Sequence, residues 1–184
     1  MKYTMAWLRN KAKSGEQLKY IFFWGHTNKT DDPAGKYIFS QWYESPFEVD
    51  GIVYKTSEHW MMSKKALLFG DTVSSENILA CQKPGEAKTL GRVVSGYDDD
   101  LWNKHKYEIV KSGNLHKFSQ NAVLKEYLLN TGDRIIVEAS PVDAIWGIGM
   151  AQDHQNILNP ELWRGENLLG FAIMEVREEL RQRR

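Results

Sequence analysis

One glutamate and one lysine stand among aromatic and sulphur-containing residues in the stretch 57–65, and together they could perform acid–base or nucleophilic chemistry. The stretch reads Ser-Glu-His-Trp-Met-Met-Ser-Lys-Lys. Successive residues of an α-helix are rotated by about 100°, so a helix here would place Glu58, Met62 and Lys65 on one stripe. Helical side chains lean toward the N-terminus, and Lys65 would therefore reach back toward Glu58. A carboxylate can transfer protons, and a deprotonated amine can attack an electrophilic carbon.

The lysine would act as a nucleophile only if its pKa fell below the usual value. Desolvation or a neighbouring cation lowers the pKa of an amine. Lys64, Arg92 and the apolar surroundings of Trp60 are candidates for that effect, whereas an ionised Glu58 would oppose it. The sequence leaves open whether Glu58 and Lys65 stay apart until substrate binds or Glu58 carries the proton.

Two further groups of polar and aromatic residues follow in the chain. In the second group, Trp102 comes ten residues after Gly91-Arg92. The third group occupies a predicted strand end and the glycine-bearing loop after it, and consists of Glu138, Asp143, Trp146, Gly147 and Gly149. Loops at strand ends commonly display functional side chains. The ordinary alternatives are structural, with Glu58 serving the helix dipole, Lys65 at the surface, Trp102 in the core and Asp143 in a turn.

The composition predicts one globular domain over residues 1–184. Hydrophobic residues make up 42% of the chain and charged residues 26%, which are ordinary values for a globular protein. Basic and acidic residues both number 24, so the net charge provides no driving force for nonspecific binding to a duplex. A nucleic-acid substrate is neither required nor excluded by this balance.

Several common kinds of site are missing from the sequence. It has no His-Glu-x-x-His motif, cysteine pair, P-loop or Gly-x-Ser-x-Gly motif, and we expect neither a metal nor a cofactor. The single cysteine, Cys81, allows no internal disulfide and is typical of a reducing compartment. The start of the chain lacks the apolar core of a signal peptide, and no apolar run approaches membrane-spanning length. We therefore expect a cytoplasmic protein with no membrane contact.

Local patterns predict an α+β protein that is predominantly α-helical with a few short strands. Strands are predicted at 20–24, at 134–138, and in a hairpin over 47–54 that turns at Asp50-Gly51. Helices are predicted at 57–68 with Ser57 as the cap and Gly70 as the stop, at 76–80 with Ser74 as the cap, and at 84–92, about 98–117, 121–129 and 166–184. Residues 1–17 are predicted to form a weakly amphipathic lead segment. Loops are predicted at residues 27–36 and 139–165.

Taken in order, these motifs resemble those of the NADAR/YbiA-like family. The resemblance is carried by Ser57-Glu58-His59-Trp60 with Lys65, Leu90-Gly91-Arg92, Trp102, Lys117-Phe118, Glu138…Asp143…Trp146-Gly147, and Gly165-Glu166-Asn167-x-Leu169-Gly170. The ordered set extends over about residues 20–180, which is nearly the whole chain. On this basis the chain is identified as a member of the family.

The resemblance implies that the protein is an N-glycosidase. Some members cleave the bond between ribose phosphate and the amine of early riboflavin-pathway intermediates, and others remove ADP-ribose from modified guanine. The resemblance implies functional roles for Glu58, Trp102 and Asp143, and implies that Lys65 attacks the anomeric carbon and forms a Schiff base. Because Lys64 directly precedes Lys65, the sequence leaves open which lysine is the nucleophile.

We therefore expect a metal-independent N-glycosidase that acts on an N-linked ribose bearing phosphate or ADP. Glu58 and Asp143 would handle protons or water, because cleavage builds positive charge on the sugar and negative charge on the leaving base. The predicted substrate-binding residues would stack on the base, line the pocket or receive phosphate oxygens. They are Trp24, Arg92, Trp102, Glu138, Trp146, Gly147 and Gly149.

The favoured substrate is ADP-ribosylated guanine in a nucleotide or a nucleic acid, because nothing in the chain looks like a fused riboflavin enzyme. One alternative is an N-glycosidase of phosphoribosylamino-pyrimidine intermediates of the riboflavin pathway. Another is a non-catalytic module that binds NAD or ADP-ribose, in which loss of the lysine would be tolerated. The oligomeric state is left open.

Overall fold

A computed structural model describes residues 1–28 and 32–183, and helices predominate among them. The helices of this part of the chain are Met5–Lys13 (α1), Ser57–Leu68 (α2), Thr72–Ala80 (α3), Pro84–Arg92 (α4), Asp99–Gln120 (α5), Ala122–Asn130 (α6) and Leu168–Gln182 (α7). The strands are Tyr20–Phe23 (β1), Phe47–Val49 (β2), Ile52–Tyr54 (β3) and Ile135–Glu138 (β4), and 3-10 helices span Lys36–Phe39 and Pro160–Leu162. The predicted α+β class is confirmed.

The chain divides by its internal contacts into two compact units. Residues 1–40 and 123–184 form one unit, which we call the terminal unit. Residues 41–122 form the other, which we call the central unit. That the chain behaves as one domain stays a prediction.

The terminal unit is built on a parallel pair of strands and one long helix. Strand β1 pairs with β4 in parallel, with Tyr20 opposite Ile135 and Phe23 opposite Glu138. Helix α7 packs on β4, and one apolar face of α7 is buried. Its residues Leu169, Ile173, Val176 and Leu180 are each at most 1% exposed.

The central unit consists of a hairpin and a layer of helices. Strands β2 and β3 pair antiparallel, and the turn between them has positive φ at both Asp50 (53°) and Gly51 (77°). This is the backbone that an Asp-Gly hairpin requires, so the predicted hairpin is confirmed. Helix α2 packs against α3, α4 and α5.

Two predicted helix caps are wrong, and one predicted strand end lies too far along the chain. Thr56, not Ser57, caps α2, because its hydroxyl accepts the His59 N–H at 3.3 Å while Ser57 already belongs to the helix. Asp71, not Ser74, caps α3, because the Asp71 carboxylate accepts the N–H of Ser74 itself at 2.9 Å. A charged carboxylate is a stronger acceptor than a hydroxyl, and α3 consequently begins four residues earlier than predicted.

Strand β1 ends at Phe23 rather than Trp24. The side chain of Trp24 is 61% exposed, whereas that of Phe23 is 1% exposed. The predicted loop at 27–36 lies partly outside the described residues. None of the helices within 1–28 and 32–183 combines the length and apolarity that crossing a membrane requires.

Candidate active site

Glu58 lies in the first turn of α2 and is only 5% exposed. The Thr56 cap fixes the start of this turn, and the Glu58 N–H donates to the carbonyl of Gln41 at 3.0 Å. A carboxylate near a helix N-terminus is stabilised by the helix dipole. The helix therefore supports Glu58 electrostatically while burial keeps it from bulk water.

Lys65 lies two turns further along α2 and is held by groups from three other segments. Its Nζ donates to the carbonyl of Gly91 at 2.8 Å. The same Nζ lies 4.3 Å from the ring centroid of Tyr97 and 5.5 Å from that of Trp102. We call Lys65, Gly91, Tyr97 and Trp102 the lysine cage. Both rings lie within the distance at which a cation is attracted to an aromatic face.

The Gly91 carbonyl can reach Lys65 because α4 approaches α2 very closely. A Cβ atom on Gly91 would lie 2.1 Å from Sδ of Met62. Similarly, a Cβ atom on Gly113 of α5 would lie 2.4 Å from the ring of Trp60 on α2. Glycine is needed at both contacts because any larger residue would separate the helices. The glycine of the Gly-Arg motif therefore has a structural role, since it allows α4 and α2 to pack closely.

Burial shifts the protonation balance of Lys65 toward the neutral amine. Burial of the side chain lowers the pKa of Lys65, and the nearby Asp99 carboxylate acts in the opposite direction. Asp99 is itself held by the hydroxyl of Tyr97, which donates to its Oδ1 at 2.7 Å. Within the described residues, Lys65 forms no ion pair with Glu58; it bonds to Gly91 instead. Whether Glu58 approaches Lys65 only when substrate binds or carries the proton stays a prediction.

The two adjacent lysines occupy different surroundings. Lys64 Nζ lies over the rings of Trp60, at 4.6 Å, and Tyr54, at 5.8 Å. Lys64 therefore lies over different aromatic rings from Lys65, which contacts Trp102.

Arg92 is the last residue of α4 and is exposed.

In the terminal unit, Asp143 organises a turn. Its Oδ1 accepts the N–H of Ile145 at 2.9 Å and that of Trp146 at 2.8 Å. Its carbonyl accepts the N–H of Gly149 at 2.9 Å. This is the turn-stabilising role typical of aspartate, although Oδ2 accepts no hydrogen bond from the described residues.

The glycines of this loop are required by its tight backbone. A Cβ atom on Gly147 would lie 2.8 Å from the carbonyl oxygen of Glu138, and Gly149 has a φ of +63°. The Gly149 N–H is already used by the Asp143 carbonyl. A phosphate could receive that N–H only if the turn opened.

Trp24 and Glu138 lie at the C-terminal end of the parallel strand pair. Phe23 and Glu138 are opposite each other at the last residues of β1 and β4, and Trp24 follows directly. The Glu138 N–H donates to Oδ1 of Asn167 at 3.0 Å. Trp146 is half-buried in the loop after β4.

The predicted site residues thus fall into two sets, each within one unit. The central unit contains Glu58, Lys65, Arg92 and Trp102, and it brings Lys65 and Trp102 into contact. The terminal unit contains Trp24, Glu138, Asp143, Trp146, Gly147 and Gly149, and it brings Asp143, Trp146 and both glycines into one turn.

Three residues with notable environments were not assigned roles from the sequence. Tyr97 belongs to the lysine cage, and no local pattern marks it. Lys117 is completely buried, and burial lowers its pKa to about 7; its only sequence signal is the Lys-Phe motif. Asn167 is completely buried with φ 53°, and its side chain bonds the backbone of Ile136 as well as Glu138. The sequence signal for Asn167 is the Gly-Glu-Asn motif.

In the part of the chain that the structure describes, no cluster of three or more His, Cys, Asp or Glu side chains could hold a metal ion.

Comparisons with known proteins identify the family of the chain. A family model described as the NADAR domain matches residues 22–181. N-glycosidase R617 of Acanthamoeba polyphaga mimivirus is 45% identical over 172 residues, which cover 91% of this chain and 99% of that protein. N-glycosidase YbiA of Escherichia coli is 33% identical over 152 residues, covering 82% of this chain and 84% of that protein.

The fold is also similar to a solved structure. The NMR structure of the E. coli protein YbiA aligns with a TM-score of 0.72 at 29% identity, covering 91% of this chain and 88% of that one. The family model and the relatives each extend over most of the chain. The chain therefore belongs to the NADAR domain family and is an enzyme of the hydrolase class, an N-glycosidase.

Proposed function

We propose that the protein hydrolyses the N-glycosidic bond of a phosphate-bearing ribose, with ADP-ribosylated guanine as its substrate and Lys65 as its nucleophile. The single observation that carries this proposal is the lysine cage. An amine with a lowered pKa is held between two aromatic rings and a carbonyl. Desolvation is one of the ways in which enzymes activate a lysine for covalent catalysis.

The first step forms a bond between Nζ of Lys65 and the anomeric carbon as the bond from that carbon to the base nitrogen breaks. The electron pair of the broken bond goes to the base nitrogen, which receives a proton. The ribose ring then opens, and its oxygen takes the bonding electrons and a proton from Nζ, leaving a Schiff base. Addition of water at the same carbon releases the sugar and restores the amine.

Glu58 and Asp143 are the proposed proton-handling groups. Glu58 is buried at a helix start, where a carboxylate can exchange a proton in a water-poor environment. Asp143 has one oxygen, Oδ2, that the turn does not use. Either position suits a group that protonates the leaving base or activates the incoming water.

Aromatic and cationic side chains would bind the rest of the substrate. Trp102 would stack on the base or ribose from the lysine cage, and Trp24 and Trp146 would provide further aromatic surface. Arg92 is exposed at the end of α4 and would receive phosphate oxygens, as guanidinium groups commonly do. Gly147, Gly149 and Glu138 would line the substrate pocket.

Borohydride trapping tests the nucleophile and the substrate together. The protein is incubated with ADP-ribosylated guanosine, or with a phosphoribosylamino-pyrimidine, with and without borohydride, and the adduct is located by peptide mass spectrometry. We expect release of guanosine without borohydride and a reduced adduct on the peptide at Lys65 with it.

Other outcomes would contradict specific parts of the proposal. An adduct on Lys64 would overturn the choice of lysine, and turnover of the pyrimidine alone would overturn the choice of substrate. Tight binding of ADP-ribose without turnover of either compound would indicate the non-catalytic module.

A further inference from the structure

A cavity lies in the terminal unit, and no residue proposed above for catalysis lines it. Its volume is about 430 Å³, which is within the range of small-molecule sites. Trp7 of α1 and Arg177 of α7 line it, together with Lys19 and Arg134, the residues that directly precede β1 and β4.

This cavity and the predicted substrate-binding residues Trp24 and Glu138 are at opposite ends of the same strands. Lys19 and Arg134 mark the N-terminal ends of β1 and β4, whereas Trp24 and Glu138 mark their C-terminal ends. The two strands run parallel over four paired residues, and a strand rises about 3.3 Å per residue. The separation along the strands is therefore on the order of 13 Å.

The most unusual group in the cavity is the guanidinium of Arg177, which is only 2% exposed. Its Nη1 donates to Oγ1 of Thr131 and to the carbonyl of Arg134, both at 2.8 Å. Its Nε is buried and has no hydrogen-bond partner in the described chain, and Nη2 makes no hydrogen bond there either. Nε and Nη2 form the edge with which arginine donates two parallel hydrogen bonds to a carboxylate or phosphate.

Carboxylates around the cavity are engaged with other cations. Three acidic side chains line it, and each forms an ion pair that does not involve Arg177. The pairs are Glu16–Lys11, Asp133–Arg181 and Glu178–Lys2. Arg177 consequently remains a buried cation with no carboxylate on it among the described residues.

A buried charge that forms no direct ion pair is costly to a folded protein. Burial and repulsion from Arg181 lower the pKa of Arg177 to about 10, against the opposing attraction of the nearby Asp133 and Glu178 carboxylates. An anion seated on the free edge would offset this cost and supply the missing acceptors. Lys19 is an exposed cation of the lining, which would draw an anion toward the opening.

We infer that this cavity is a second ligand site, which binds a small molecule through a phosphate or carboxylate group, and that a small rotation of the buried Arg177 guanidinium brings its Nε–Nη2 edge to that group. The ring of Trp7 forms part of the wall beside it. The site is independent of the lysine cage, and its ligand is neither the scissile sugar nor the leaving base.

The test is a titration of the full-length, ¹⁵N-labelled protein, observed by NMR. Inorganic phosphate and malonate are the two probes, and sodium chloride at matched ionic strength is the reference. The signals followed are the Arg177 Nε–H and the indole N–H of Trp7. We expect a saturable shift of both with at least one probe, with a dissociation constant on the order of millimolar or tighter.

Saturation with phosphate alone assigns a phosphate ligand, saturation with malonate alone assigns a carboxylate ligand, and saturation with both assigns a general oxyanion site. A drift that never saturates and equals the drift in sodium chloride would overturn the inference.

Variants separate an anion site from a purely structural arginine. Lys19→Ala should weaken the affinity at least about threefold through loss of a nearby charge, whereas Lys13→Ala, an exposed lysine of α1 outside the cavity lining, should leave it unchanged. Arg177→Lys keeps the charge but removes the two-donor edge, so saturable binding should disappear. If that variant fails to fold, the Lys19 and Lys13 variants still decide the question. Lys65→Met should bind the probe as the unchanged protein does, and loss of binding there would contradict a separate site.

Discussion

The two sets of candidate residues are held in different ways. In the central unit, the reactive atom of Lys65 is itself enclosed, by the Gly91 carbonyl and the rings of Tyr97 and Trp102. In the terminal unit, one carboxylate oxygen of Asp143 accepts hydrogen bonds from the backbone of its own turn. Residues that look equally suited to chemistry in the sequence therefore differ in what their functional atoms already do. The difference suggests that Lys65 is placed for chemistry first, and Asp143 for structure first.

Replacement of the caged lysine should have the largest effect. Lys65→Met keeps an unbranched side chain of similar length but removes the amine, and we expect turnover to fall at least about 100-fold, the low end for loss of a group acting on the reacting atoms. Lys64→Met is the matched control and should remain within about threefold of the unchanged protein, because Lys64 contacts a different aromatic group. Initial rates of base release measure both. Equal losses in the two variants would remove the distinction between the lysines.

The pH dependence of turnover should follow the caged amine. Burial lowers the pKa of Lys65 below the ordinary value for lysine, and only the neutral amine attacks. The value of kcat/KM should therefore rise about tenfold per pH unit below that pKa and level off above it. Because Asp99 raises the pKa of Lys65, Asp99→Asn should move the rise to lower pH.

Asp100→Asn is the control for this profile, since the neighbouring Asp100 does not contribute to the lowered pKa of Lys65. It should leave the midpoint in place. A shift to higher pH in Asp99→Asn would contradict the proposed electrostatics of the cage.

The close contact between α2 and α4 should be sensitive to one methyl group. Gly91→Ala would place Cβ 2.1 Å from Sδ of Met62, and we expect a loss of about 1–3 kcal/mol in the free energy of unfolding, as is usual for overpacking. Gly85→Ala in the same helix would meet Trp42 at an ordinary 3.5 Å and should be neutral or stabilising by at most about 1 kcal/mol. Urea denaturation measures both. Similar stabilities of the two variants would show that Met62 moves aside without cost.

The turn at Asp143 should show the smallest effect on stability. Asp143→Ala loses both hydrogen bonds made by Oδ1, and we expect a cost of about 1 kcal/mol in the free energy of unfolding. Asp143→Asn keeps a carbonyl oxygen for the turn but removes the acid, so it should restore stability without restoring any proton transfer. Full activity in the asparagine variant would make Asp143 a structural residue only. Reduced activity at unchanged stability would support its proposed catalytic role.

Local patterns predicted most of the secondary structure because the determinants are close in sequence. Pro84 at a helix start placed α4 to the residue, and Asp50-Gly51 placed the hairpin. Caps were less predictable, because Thr56 and Asp71 compete with serines nearby and the geometry of a single hydrogen bond decides between them.

The candidate site was predictable as a set of residues but not as an arrangement. Glu58 and Lys65 share a helix face, yet the partner of Lys65 is Gly91, which is distant in sequence and close only because α4 packs tightly on α2. Tyr97 and Asp99 entered the site through the same packing. The unpaired edge of Arg177 is equally invisible in the sequence, where that residue is one of several basic residues near the end of the chain.

The sequence by itself determined the family of this protein, the types of its elements and the residues with the capacity for chemistry, because helix periodicity, turn chemistry and ordered motifs are local properties of the chain. Only the tertiary structure decided which of those residues has its reactive atom enclosed and which is used to hold a turn. The reason is physical: burial, ring contacts and the pKa of an amine depend on groups that approach through space. For Lys65 those groups come from α4, α5 and the segment between them.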